Sequence, residues 1–151
     1  MSENPFKNIE RDGDKFVLTL LHYVGPINES FIHPLMFLIT KKYYKDVLEK
    51  RGWNFYGFTS GSSIPYSHGL NVDMSGIYTA GWINEKEGKI FLSESGKEYV
   101  EEKILPKLSN DEKNLLKEIG EKARELYLIS LSHPEKFKNE VCELEKKENL
   151  S

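Results

Sequence analysis

Four histidines, one cysteine and a cluster of serines are the residues of this 151-residue chain whose types could carry chemistry. His22, His33, His68 and His133 never stand four residues apart, and no His-Glu-x-x-His occurs. Zinc needs ligands that converge, so the histidines are expected at caps, surfaces and core edges rather than on a metal. Cys142 is the single cysteine. It can form no internal disulfide and no thiolate zinc site, and nothing near it in sequence supplies a base to activate it. Ser60, Ser62 and Ser63 lack a Gly-x-Ser-x-Gly frame. The segment Thr59 to Ser63, TSGSS, has no Gly-Lys-Ser/Thr continuation, so it reads as a surface connector before a phosphate cradle. Carboxylates such as Glu101, Glu102 and Glu145 fall in mixed-charge helical runs, which are solvated faces. No catalytic residue, metal site or cofactor is expected, and the chain reads as a non-enzyme.

Binding is the remaining chemistry. The net charge is −3 and the pI about 5.9. That balance argues against a protein that grips nucleic acid with its whole surface, because neutralising phosphates takes clustered Lys and Arg. A local cluster does exist. Lys41, Lys42, Lys45, Lys50 and Arg51 stand against Asp46 and Glu49, a local charge of +3. Tyr43, Tyr44, Trp53, Phe55, Tyr56 and Phe58 lie in and beside it. They read as core packing or as a stacking platform for unpaired bases.

These residues need elements to position them. The N-terminus, MSENPFKNIERDGDK, is polar with no signal-peptide core, and no apolar run is long enough to cross a bilayer, so a cytoplasmic location is expected. Residues 1 to 13 read as a flexible N-terminus. Asp14 can cap a helix to about Val24, with Phe16, Val17, Leu20, Leu21 and Val24 on one stripe. Gly25-Pro26 stops it. Asn28 reads as the cap of the next helix, which either starts at about His33 or is kinked at Pro34. Two helical segments then run to Gly52, and residues 53 to 58 alternate like a short strand. A third helix runs from Ser67 to about Ala80, with Leu70, Met74, Ile77 and Tyr78 on its apolar face. Gly81 closes it. Trp82-Ile83 and Lys89-Leu92 form a hairpin about the turn Glu85 to Gly88. Ser93 caps a helix that Pro106 breaks. Ser109 to Glu112 is a capping box opening the longest helix, to about Leu131. Phe137, Val141 and Leu144 stand at helical spacing in a short last helix with a frayed end.

The stretch from Pro65 to Leu108 resembles the core of archaeal winged-helix regulators and is similar to the antitoxin-associated Panacea-type domain. The resemblance rests on the Tyr66-Ser67 opening, the Gly81-Trp82-Ile83 step and the turn Leu92-Ser93-Glu94-Ser95-Gly96-Lys97. It covers roughly residues 14 to 108 and implies a winged helix-turn-helix. The fold class is therefore expected to be mainly α with a small β-hairpin (α+β), with a long added C-terminal helix over residues 109 to 132 and a tail over 133 to 151. Such families are usually transcription regulators that dimerise through an added C-terminal helix. By that analogy Leu115, Leu116, Ile119, Ala123, Leu126 and Tyr127 would form a homodimer seam.

Two functions follow as expectations. In the first, a regulator binds double-stranded DNA. The third helix enters the major groove with Tyr66, Ser67, His68, Asn71 and Ser75, while Lys86 and Lys89 of the hairpin and Lys41, Lys42 and Lys45 touch the backbone. In the second, the same scaffold binds a protein partner. The third helix departs from the DNA pattern: it has no Lys or Arg, and Asp73 would repel phosphate.

Overall fold

The computed structural model describes residues 12 to 60 and 64 to 148. They form a mainly helical protein with a small three-stranded antiparallel sheet. The expected flexible N-terminus lies outside the described residues apart from its last two positions, and so does the end of the frayed tail. No helix among the described residues is long and apolar enough to cross a membrane.

Helix α1 (Asp12–Val24) is the centre of the molecule. One apolar stripe is expected from its sequence, yet residues 13 to 21 are buried without interruption. The reason is that the chain surrounds it: α4, the sheet and α6 all pack against α1. Even Lys15 is 6 % exposed. Its ammonium lies 4.6 Å from the Trp82 ring centre and 4.9 Å from that of Tyr99, two rings stacked 4.2 Å apart. Asp14 Oδ1 is 3.5 Å from the same ammonium. A buried ammonium needs such partners, and aromatic faces supply part of what water gave. Asp14 is thus not the helix cap; the helix begins at Asp12.

Gly25, with φ +82°, ends α1. Strand β1 (Ile27–Asn28) follows, so Asn28 is paired in a sheet and makes no side-chain cap. A 3₁₀ turn (Glu29–Phe31) leads into α2 (Ile32–Leu38). Pro34 sits in the first turn of α2, where a missing N–H breaks no helical bond. The helix continues as a π turn (Ile39–Tyr43) and then α3 (Lys45–Arg51), which Gly52 closes at φ +73°. Residues 53 to 58 are not a strand. Trp53, Tyr56 and Phe58 turn inward, with Phe16 against Trp53 and Phe37 against Phe58. The aromatic cluster is core packing. A minimal ribbon pairs β2 (Thr59–Ser60) with β3 (Pro65–Tyr66).

Helix α4 (His68–Thr79) is capped by Ser67, whose hydroxyl accepts from Leu70 N–H at 3.2 Å. Its inner face buries Leu70, Met74 and Ile77. Asp73 points inward too, accepting from the Tyr56 hydroxyl at 2.6 Å. It cannot repel DNA as expected from the sequence. Strands β4 (Ile83–Lys86) and β5 (Lys89–Leu92) meet at Glu87 and Gly88, both with positive φ, the two-residue turn that suits strand twist. Strand β1 pairs with the other side of β5, giving the order β1-β5-β4. Ser93 caps α5 (Glu94–Tyr99), which runs on through a π turn and a 3₁₀ turn holding Pro106.

Both halves of the capping box at Ser109 and Glu112 are made, opening α6 (Asn110–Ser132). This helix lies back on α1. Leu116, Ile119, Ala123, Leu126 and Tyr127 are buried within the same chain, and Leu115 packs against their edge. The proposed dimer seam is therefore part of the protein's own core. An intact fold offers no such stripe to a second copy. Helix α7 (Pro134–Lys147) completes the core with Phe137, Val141 and Leu144.

Helices α1 and α6 approach so closely that a methyl on Gly120 would come within 2.4 Å of Tyr23 Cβ. Gly120→Ala should destabilise the protein by about 1–3 kcal/mol through overpacking. Gly76, in α4, has open space around the same position. Gly76→Ala should instead gain about 0.5–1 kcal/mol from helix propensity. Urea unfolding of the two variants checks the contrast, and equal effects would contradict the close approach.

Candidate binding groove

The outer face of α4 does not stand free. Together with the β4–β5 hairpin, the start of α2 and the β2–β3 ribbon it encloses a groove of about 670 Å³. Each wall has a sequence cause. The cap at Ser67 starts α4 so that Asn71, Met74 and Tyr78, at helical spacing, border one channel. The tight turn at Glu87-Gly88 returns β5 beside β1, which brings Glu85 and Gly88 to the rim. The 3₁₀ turn after β1 brings Glu29 and Ser30 to the same rim, where the Glu29 N–H donates to the Gly88 carbonyl at 2.9 Å.

Charge in this groove is negative. The Tyr78 hydroxyl lies 2.9 Å from Glu29 Oε2 and 3.5 Å from Glu85 Oε2. Burial first, then hydrogen bonding to Glu29 and the charges of both glutamates, pushes the Tyr78 phenol well above its ordinary range. The two carboxylates thus face each other across one neutral hydroxyl.

The floor is apolar, with Ile32 and Met74 beneath exposed Ile64 and Tyr66. His33 and Tyr66 stack at 4.9 Å with planes 12° apart. His33 Nδ1 accepts from Ser67 N–H at 3.1 Å, so the imidazole holds the start of α4 in place. Burial lowers the His33 pKa below its ordinary 6.5.

The residues assigned to DNA separate into two groups. Tyr66, His68, Asn71 and Ser75 are exposed on or beside α4, and Lys86 and Lys89 are exposed at the hairpin. Ser67 is not available: it is 1 % exposed and its hydroxyl caps the helix. Lys41, Lys42 and Lys45 lie beyond the other end of α2, roughly 12 Å along the helix from His33 at 1.5 Å per residue. They border α7 instead, beside Leu144 and Lys147. Lys42 Nζ donates to Glu140 at 2.6 Å, and the Tyr43 hydroxyl donates to the same carboxylate. Burial pushes the Glu140 pKa up, but the Lys42 and Tyr43 hydrogen bonds outweigh it and hold the group below its usual range. The basic segment therefore docks the protein's own last helix.

Glu29, Glu85 and Tyr78 are the groove residues that sequence reasoning missed. Tyr78 was legible only as part of an apolar helix face and Glu85 only as a turn residue. Their meeting depends on β1 joining the hairpin, which two residues of strand do not announce. No family model, no curated protein and no solved structure matches this chain.

The His33 contact has a pH signature. Between pH 6.5 and the lowered folded-state value, the unfolded chain takes up a proton that the native imidazole refuses, so stability falls as pH falls. His22, also lowered chiefly by burial, acts with the same sign. Wild type should lose urea stability from pH 7 to pH 5. His33→Asn, which keeps an acceptor near Nδ1 but does not titrate, should lose less. Identical pH slopes would remove His33 from the linkage.

Proposed function

We propose that this chain is a protein-binding module on a winged-helix scaffold, and that the groove between α4 and the hairpin receives a segment of another protein. The scaffold reading is supported by the order α1, β1, α2, α4, hairpin, with β1 joining the hairpin as a third strand. The single observation that carries the function is the charge of the groove. In a DNA reader the face between the third helix and the wing must accept phosphates and base edges. Here that face holds Glu29 and Glu85 and no Lys or Arg from α4. Lys86 and Lys89 lie on the opposite face of the hairpin from Glu85, Lys41 and Lys45 lie beyond the other end of α2, and Lys42 is already bonded to α7.

One observation favours the rival reading, a DNA-binding regulator. Lys86 and Lys89 are cross-strand partners at the hairpin, and Asn71 and Ser75 are exposed on α4. They could meet a duplex only if the Glu29–Glu85 rim were tolerated.

Fluorescence anisotropy with a random-sequence duplex and with fragments of the source genome, at about 50 and 200 mM salt, separates the two. The protein module predicts no saturable DNA binding at either salt. Sub-micromolar binding that weakens steeply with salt would overturn it in favour of the regulator. In parallel, a partner that co-purifies with wild type from native cells should be lost with Asn71→Trp, which fills the groove from an exposed position. Equal recovery with a folded Asn71→Trp would remove the groove from the contact.

A further inference from the structure

Resting on the reading of this groove as a docking site, we infer the chemistry of its occupant: a partner segment presenting an arginine or lysine beside an aliphatic side chain. Three observations converge on this.

The first is an incomplete charge balance. The Tyr78 hydroxyl has one proton and two carboxylates within reach, at 2.9 and 3.5 Å. It can donate to only one at a time. Among the described residues no Lys or Arg pairs with Glu29 or Glu85. The hairpin lysines cannot serve. Side chains alternate across a strand, so Lys86 and its cross-strand partner Lys89 lie on the opposite face from Glu85. Two like charges therefore converge at the rim with no cation between them.

The second is exposed apolar surface next to that rim. Ile64 is 53 % exposed and Tyr66 38 % exposed. Met74 and Ile32 continue the surface inward as the floor. Isolated exposed apolar residues are ordinary, but these border a single channel that also holds the carboxylates.

The third is rigidity. The Tyr66 ring is stacked on His33, and His33 is fixed by the Ser67 N–H. The apolar wall is preformed, so an occupant has less ordering to overcome there. A basic head between Glu29 and Glu85, with aliphatic carbons against Ile64 and Tyr66, satisfies both features together. An arginine fits best, because its planar fork can bond two carboxylates in fixed directions. Acidic segments and phosphates are repelled by the same pair.

The test is selection of a random 12-residue displayed peptide library on the full chain, followed by fluorescence polarisation with synthesised winners. Enriched peptides should share a basic residue next to Leu, Ile, Val or Met. Replacing that basic residue by Gln, or introducing Glu29→Gln with Glu85→Gln, should weaken binding about tenfold or more, the range for losing a charge-assisted pair. Raising salt should weaken the wild type and leave the double variant nearly unchanged. Tyr78→Phe, which retains both carboxylates and the ring, should bind at least as tightly as wild type, and near-ultraviolet circular dichroism verifies that each variant is folded. Peptides that are blocked by Asn71→Trp but carry no basic residue, or that ignore the two glutamine substitutions, would overturn this inference and leave the docking groove standing. Peptides unaffected by Asn71→Trp, or no enrichment at all, would overturn the groove itself. Self-association through the groove, seen as a dimer dissociated by the double glutamine variant, would replace the partner by a second copy and overturn the inference.

Discussion

Everything in this protein depends on burying α1 from every side. A helix with Phe16, Val17, Leu18, Leu20 and Leu21 in succession has no solvent face to offer, so the chain must supply a complete sheath. Helix α4 and the sheet cover one side, and α6 covers the other at the near-contact of Gly120 with Tyr23. A second close approach has the same character: a methyl on Gly96 would fall 2.0 Å from the Trp82 carbonyl oxygen. That approach places Trp82 and Tyr99 over Lys15. The buried ammonium and the start of α5 are thus parts of one arrangement, in which a small residue permits the contact that a charged residue requires.

The sheath has a consequence for function. Because α6 is needed to cover α1, its apolar stripe cannot also serve a second subunit. Because α7 is needed to finish the cover, it engages the π turn, where Lys42 bonds Glu140, while Lys122 of α6 lies 4.3 Å from the Tyr43 ring centre. Two features that suggest an oligomeric nucleic-acid binder in the linear sequence are consumed internally. What remains outward is α4 with its polar, uncharged face, and beside it the Glu29–Tyr78–Glu85 rim. The electrostatics of that rim favour cationic protein over phosphate for the reason that like charges at short range are costly even near the surface.

Elements with local signals were legible. The capping box at Ser109 and Glu112, the cap at Ser93 and the spacing of Phe137, Val141 and Leu144 appear where the residues place them, and the hairpin is present with its first strand running Ile83–Lys86, two residues into the expected turn. These depend on hydrogen bonds and periodicity within a few residues, which any chain segment carries with it. Elements without local signals were not. Ile27–Asn28 is a strand only because Ile90 and Lys89 lie beside it. Asp73 reads as a surface acid until Tyr56 is placed over it. The extended stretch from Trp53 to Phe58 alternates like a strand, yet its rings reach Phe16 and Phe37, and among the described residues no strand pairs with it.

By itself, the sequence determined the helical content, the presence of a hairpin, the caps at Ser93 and Ser109 and the absence of cations from α4, because each follows from residue identity and short-range spacing. Tertiary structure alone decided which apolar stripe meets which, and hence that α6 covers α1 in the same chain. It alone decided that Lys42 is tied to Glu140 and that Glu29 and Glu85 converge on Tyr78. Lys42–Glu140 and Glu29–Tyr78 join residues 98 and 49 positions apart, and the hairpin carries Glu85 back to Tyr78 on the helix that precedes it. Contacts of that range are selected by the global packing of the core, which no local pattern encodes.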